Sequence, residues 1–265
     1  MTDLPKASRA AEQAAYAAGT HLRASRSRLS AVVITHESPD DVVGAIDQEA
    51  QALIRDIVTR AFPEHGFVAQ EAGADVSVLL TDAHPHWVVD PLDGTANYLR
   101  GYPQYAVSIA LVEAGEPVIG VVYDPVRNEF FGAIRGRGAV LNGQPIRCAP
   151  PHTAVEALAA TVFPKPGSAL MPRYMAEFGR VLRAFGGVRR SGSMALELAY
   201  LAAGRIDAFW SHDMGPWDGA AGILLLRESG ALVQARDGRP LLASGSLLGC
   251  TPSLYESFLG LLVET

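Results

Sequence analysis

The chain has 265 residues, 49% hydrophobic and 19% charged, which is enough apolar content to bury a large core in one body or two tightly joined halves and excludes a disordered chain. The net charge is −6 and the 22 lysines and arginines are scattered, so no basic footprint for nucleic acid is present and direct nucleic-acid binding is not expected. Cys148 and Cys250 lie far apart without a CxxC pair, and Asp3, Lys6, Arg9 and Glu12 interrupt the N-terminal alanines, which predicts passive core thiols in a reducing compartment and a soluble, cytoplasmic protein without signal peptide or membrane span.

An alanine-rich segment over 5–28 reads as a packing helix ending in basic residues. A second helix is predicted over 39–62, opened by Asp40 and Asp41, with Val43, Ile46, Ala50, Leu53, Ile54 and Ile57 at helical spacing. That spacing sets Asp47 near the core-facing side. Short apolar runs at 66–70, 87–90, 105–112, 117–124 and 129–134, each bounded by turn residues, predict a mostly antiparallel sheet. Gly136, Gly138 and Gly143 punctuate a hairpin-like stretch, which reads as turn chemistry and not as a nucleotide loop because no βαβ unit surrounds it. Beyond Pro150 the pattern alternates: strand 158–163, helix 168–185, strand 188–190, helix 193–203, strand 206–210, helix 217–229. The chain therefore divides into an N-terminal α+β half over 1–150 and a C-terminal α/β half over 151–265, with a site expected between them.

The segment Asp90-Pro91-Leu92-Asp93-Gly94-Thr95 carries the chemistry. Asp90 ends a strand that Pro91 stops, and Gly94 permits a tight turn into a short helix starting at Thr95. Asp90, Asp93, the Leu92 carbonyl and the Thr95 hydroxyl are hard oxygen donors suited to Mg²⁺, with Mn²⁺ an alternative, and the N–H groups of Gly94 and Thr95 are free to meet a phosphate. The six residues read equally well as a turn with a helix cap. A second element weighs against that reading: Trp217-Asp218-Gly219-Ala220-Ala221-Gly222 opens a helix with a carboxylate and follows it with small residues.

These residues carry a resemblance. Segment 90–98 (DPLDGTANY) and segment 217–222 (WDGAAG) resemble the two signatures of the inositol monophosphatase family, and 41–47, 62–67, 132–143 and 191–193 match it in order and separation. The resemblance implies a layered α-β-α-β-α sandwich, dimeric, with Mg²⁺-dependent, Li⁺-sensitive phosphomonoesterase activity on a small phosphate monoester such as inositol monophosphate. It implies that Asp90, Asp93, Asp218 and the Leu92 carbonyl hold two or three metal ions. Asp47 and Thr95 would orient the attacking water, and Gly94, Thr95, Gly192 and Ser193 would face the substrate.

Two departures from the family pattern stand out. Where the family places the glutamate shared by the metals and their water, this chain has Gln70, whose amide oxygen ligates Mg²⁺ but carries no charge and accepts no proton from water. Glu71 is the nearest substitute, although strand alternation turns it to the opposite face. Where the family commonly has a substrate-binding glutamate stands Ser211, with His212 and Asp213 beside it as an exposed pair able to meet a different alcohol. Trp210 and Trp217 read as packing residues or pocket walls. The alternatives left open are a relative that cleaves a nucleotide 3′-phosphate, histidinol phosphate or a sugar phosphate, and a regulatory protein with a degenerate metal site, since some bacterial members associate with transcription or translation machinery.

Overall fold

In a computed structural model of the protein, residues 2–35, 39–70, 76–82, 84–148 and 153–262 are described. Helices α1 (Leu4–Thr35) and α2 (Pro39–Ala61) pair along their lengths. Ala7, Ala11, Ala14, Ala15, Ala18 and Leu22 recur at three- and four-residue steps on α1 and are fully buried, and their small size lets Val43, Ile46, Ala50 and Ile54 of α2 approach closely. Helix α1 runs one to two turns beyond the expected end at residue 28.

The pair covers one face of a seven-stranded sheet whose strands follow chain order: β1 (Gly66–Ala69), β2 (His86–Asp93), β3 (Ala106–Glu113), β4 (Glu116–Asp124), β5 (Glu129–Ile134), β6 (Ala139–Leu141) and β7 (Gln144–Ile146), with α3 (Val78–Thr81) and α4 (Thr95–Arg100) in the connections. Among the described residues of this sheet only the β1–β2 pairing is parallel. Period-two alternation sorts the side chains: Trp87, Val89, Ile109 and Leu111 join the core under α1 and α2, while Val88, Ala110, Val122 and Phe131 face the other way.

The second sheet has the order β11-β12-β10-β8-β9. It comprises β8 (Leu158–Thr161), β9 (Gly187–Arg189), β10 (Ala208–Ser211), β11 (Leu232–Ala235) and β12 (Leu247–Cys250), interleaved with α5 (Met171–Ala184), α6 (Met194–Ala202), α7 (Pro216–Ser229) and α8 (Leu241–Ser244), and followed by α9 (Tyr255–Leu262). β8, β9 and β10 run parallel, and β12 is antiparallel to both neighbours. Helices α6 and α7 fill the space between the sheets, and α5 with α9 closes the outer face around Trp210 and Phe258. The result is the five-layer α-β-α-β-α sandwich.

Small residues let α7 press onto the first sheet. A Cβ at Gly120 of β4 would lie 2.7 Å from the Ala221 carbonyl oxygen, so helix backbone meets strand backbone there with no side chain between. That contact brings the N-terminus of α7, and Asp218 with it, toward β2 and β3. Strand β2 differs from expectation: it passes through Pro91 and re-pairs at Asp93 with Ala106 after a register shift. The shift leaves Pro91 where no ladder N–H is required, so the ring bends the strand without ending it. Among the described residues no helix is long and apolar enough to cross a membrane. Cys250 is buried, Cys148 half-buried, and both are free thiols.

Candidate active site

At the β2 bulge the chain folds back on itself. The Leu92 N–H donates to Asp90 Oδ1 at 3.0 Å, and the Thr95 hydroxyl donates to the Leu92 carbonyl at 3.1 Å. Gly94 (φ 98°) turns the strand into α4. Asp93 points across to the second half of the molecule, where its Oδ2 accepts from the Ser193 hydroxyl at 2.5 Å and the Ala195 N–H at 2.8 Å. The opening turn of α6 therefore clamps a carboxylate one hundred residues upstream. Asp218 stands at the third position of α7, and its Oδ2 accepts from the Gly215 N–H at 2.7 Å, half of a capping box. It is thus a cap as well as a site residue, because only one of its oxygens is taken.

Asp90 and Asp93 are buried, Asp218 is half-buried, and the carboxylates press on one another. Burial raises Asp90 well above the usual carboxylate range, and the neighbouring charges of Asp93, Asp218 and Asp47 raise it further. Burial also raises Asp93, opposed by the donors from Ser193, Ala195 and Met194. Asp218 is pushed up to about 7 by burial and by Asp93, against the pull of the Gly215 N–H and of Lys165. Such an accumulation of anionic oxygen in one place favours a hard cation, which would relieve the repulsion. Among the described residues no three His, Cys, Asp or Glu side chains close a metal cage by themselves. Asp93 and Asp218 each spend an oxygen on backbone or hydroxyl donors, so carbonyl and water oxygens must complete any coordination.

Asp47 is buried on α2 and lies within electrostatic reach of Asp90. Gln70 follows directly on β1 and is exposed; the parallel register that pairs Ala69 with Val89 brings it level with Asp90. Glu71 lies outside the described residues. Among the residues expected to face a substrate, Gly192 adopts φ 91° and passes so close to α4 that a Cβ there would sit 2.8 Å from Asn97 Nδ2. Ser211 is buried at the end of β10, and its hydroxyl has no partner among the described residues. Asp213 is exposed at φ 58° and accepts from the Ser168 hydroxyl at 3.2 Å.

The structure thus gathers Asp47, Asp90, Leu92, Asp93, Thr95, Ser193 and Asp218, and sets Asp213 apart beside Ser168. It corrects the picture of an exposed His212–Asp213 pair. His212 is buried and its Nε2 lies 2.9 Å from Glu177, which Arg236 also grips, donating at 2.6 Å. Trp210 is fully enclosed by Tyr174, Phe178 and Phe258 and does not line a pocket. Sequence reasoning missed Asn97, whose amide donates to the carbonyls of Gln104 and Ser191, and Glu197, which accepts from the Ser191 N–H. Both were inside recognised segments and brace the 191–193 turn.

The chain is similar to known proteins in sequence and in fold. The sequence model of the inositol monophosphatase family matches residues 3–264. The chain is 36% identical over 250 residues to Nus factor SuhB of Escherichia coli K12, covering 94% of this chain and 92% of that protein. It is 38% identical over 237 residues to inositol-1-monophosphatase of Rhizobium meliloti, covering 89% and 88%. The solved structure of inositol monophosphatase from Anabaena superposes with a TM-score of 0.83 at 35% identity, covering 98% of this chain and 96% of that one.

Proposed function

Since the chain belongs to the inositol monophosphatase family, we propose that it is a metal-dependent phosphatase that hydrolyses a small phosphate monoester, inositol monophosphate or a similar polyol phosphate. The observation that carries this reading is the close group of Asp90, Asp93 and Asp218, the first two buried, with Asp93 fixed by Ser193 and Ala195 from the other half of the molecule. These carboxylates and the Leu92 carbonyl would hold Mg²⁺ or Mn²⁺, with Gln70 and Glu71 contributing neutral or carboxylate oxygen. Bound metal supplies acidification of water and neutralisation of phosphate charge.

The chain's own residues do the rest. Asp47 orients and takes the proton of the attacking water, since the Gln70 amide cannot accept one. The Thr95 hydroxyl, held near the Leu92 carbonyl, positions that water. The N–H groups of Gly94 and Thr95 receive the phosphate oxygens, and the Gly192–Ser193 turn borders the alcohol. The same reading takes the protein as a cytoplasmic, Li⁺-sensitive homodimer.

Phosphate release from inositol 1-phosphate, with and without Mg²⁺ and Li⁺, tests it. The wild type is expected to require metal, and Asp93→Asn to lose roughly a hundredfold or more in kcat. Absence of hydrolysis across polyol, sugar and nucleotide 3′-phosphates at every Mg²⁺ and Mn²⁺ concentration refutes it. Gln70 and the likeness to Nus factor SuhB favour a second reading, a regulatory binding protein. Recovery of one defined macromolecular partner by wild type and Asp93→Asn alike, without phosphate release, is its mark.

A further inference from the structure

Away from the carboxylate site, α1 and the far strands of the first sheet enclose a second cavity of about 650 Å³, and none of Asp47, Asp90, Asp93 or Asp218 lines it. Ser8, Glu12 and Tyr16 line it from α1. They recur at four-residue steps, the first two directly after buried Ala7 and Ala11 and the third after buried Ala15, and so share one polar stripe. The facing floor is β5 and β6, where Gly132 pairs with Val140. A Cβ at Gly132 would lie 2.9 Å from the Phe130 ring and 3.6 Å from Val140, so glycine leaves the floor open. Tyr16 is 37% exposed, and its ring lies nearly parallel to that of Phe130, 5.5 Å between centroids at 22°.

The β5–β6 turn supplies another wall. Gly136 (φ 76°) and Gly138 (φ 81°) both donate their N–H groups to the Glu228 carboxylate near the end of α7, at 2.7 Å each. The turn is thus anchored and its N–H groups are spent, while Arg137 between them stays exposed. Glu12 and Arg137 are the charged side chains of the lining, and among the described residues neither makes an ion pair or a side-chain hydrogen bond. A carboxylate only accepts and a guanidinium only donates. The cavity therefore suits a ligand with N–H donors on one edge, an anionic group elsewhere and a flat ring to lie against the aromatic pair and the glycine floor. Its volume is in the range of small-ligand pockets and admits a base, a sugar and a phosphate. We propose that this cavity binds a purine mononucleotide, with the base edge on Glu12, the ring against Tyr16 and the phosphate on Arg137. Guanine suits Glu12 best, because its N1–H and 2-amino group are adjacent donors to one carboxylate. Such a site stands or falls independently of the phosphatase chemistry.

Calorimetry of the full chain in Mg²⁺ with guanosine and adenosine 5′-phosphonates, which resist hydrolysis, tests it. Binding is expected for both, tighter for guanosine, and roughly tenfold weaker for the parent nucleosides. Arg137→Ala should weaken the phosphonates by about that factor and leave the nucleosides unchanged, and Arg137→Lys should restore most of the loss. Tyr16→Ala should weaken all the compounds roughly tenfold, and Glu12→Gln should abolish the preference for guanosine. Asp93→Asn, at the carboxylate site, should leave the Arg137-dependent binding intact. Because the ratio of phosphonate to nucleoside is internal to each variant, partial unfolding does not imitate the effect. No binding up to about 1 mM, or binding that Asp93→Asn removes and Arg137→Ala does not, overturns the site. So does a dimer that Tyr16→Ala dissociates, since a second copy of the chain would then fill the cavity.

Discussion

At the scale of single residues, Gln70 is the position where a change of one atom type has the largest expected effect. It stands level with Asp90, where burial and three other carboxylates already disfavour negative charge. A glutamate there adds an anionic ligand but also more repulsion before metal binds. Gln70→Glu is therefore expected to lower the Mg²⁺ concentration for half-maximal phosphate release by roughly tenfold, while lowering the melting temperature of the metal-free protein. A metal titration of both forms checks the first effect and a thermal scan in chelator the second. Asp90, Asp93 and Asp218 were legible in the sequence because carboxylates beside Pro, Gly and Trp form recognisable strings. The clamp on Asp93 was not, since the Ala195 N–H has no side-chain signature and nothing in the sequence joins the Ser193 hydroxyl, expected to face the substrate, to a carboxylate a hundred residues away.

At the scale of elements, two junctions decide how well the layers hold. Where α7 meets β4, Gly120 leaves no room for a methyl group against the Ala221 backbone. Gly120→Ala is expected to cost about 1–3 kcal/mol, read from urea unfolding, and to reduce activity because it displaces the helix that carries Asp218. The second junction ties α5 to the ends of β10 and β11 through Glu177, His212 and Arg236, all buried. Burial works to raise Glu177, but the His212 and Arg236 bonds outweigh it and hold the group down to about 2. A depressed carboxylate contributes stability above its ordinary value near 4.5 and gives it up as pH falls toward 2. Wild type should therefore lose stability across that window. Glu177→Gln should be weaker at neutral pH by about 3 kcal/mol and show a flatter acid limb. Equal acid profiles would contradict the assignment.

Element prediction succeeded where alternation or helical spacing ran long, as in α2 and in β5, whose ends match the expected 129–134. It failed for β11, β12 and α9. β12 is four residues, all buried, so no polar position breaks the run and no period can be read. The α5 junction was equally hidden, because Glu177, His212 and Arg236 belong to three separate segments and look like ordinary surface charges in the sequence.

At the scale of the whole molecule, the carboxylate cluster couples stability to metal and to pH together. Asp218 holds its proton up to about 7. A raised carboxylate favours the metal-free fold fully below its ordinary value of 3.8 and less as pH climbs through 7. Magnesium competes with those protons, so the rise in melting temperature on adding saturating Mg²⁺ should be small near about pH 5 and several degrees near about pH 8. Scanning calorimetry at both values, with chelator as reference, measures this. An equal rise at both would show that the ion binds elsewhere. The division expected at residue 150 falls among 149–152, outside the described residues; α6 and α7 come from beyond it and pack against the first sheet.

That same clamp on Asp93 sets a timetable for synthesis. The acidic loop is translated early, yet the Ser193 and Ala195 donors that fix Asp93 follow it by 100 and 102 residues, and Asp218 comes later still. A nascent chain stalled before α6 holds the loop without its brace and without Asp218. The site proposed for phosphate chemistry is complete only after α6 and α7 have packed between the sheets.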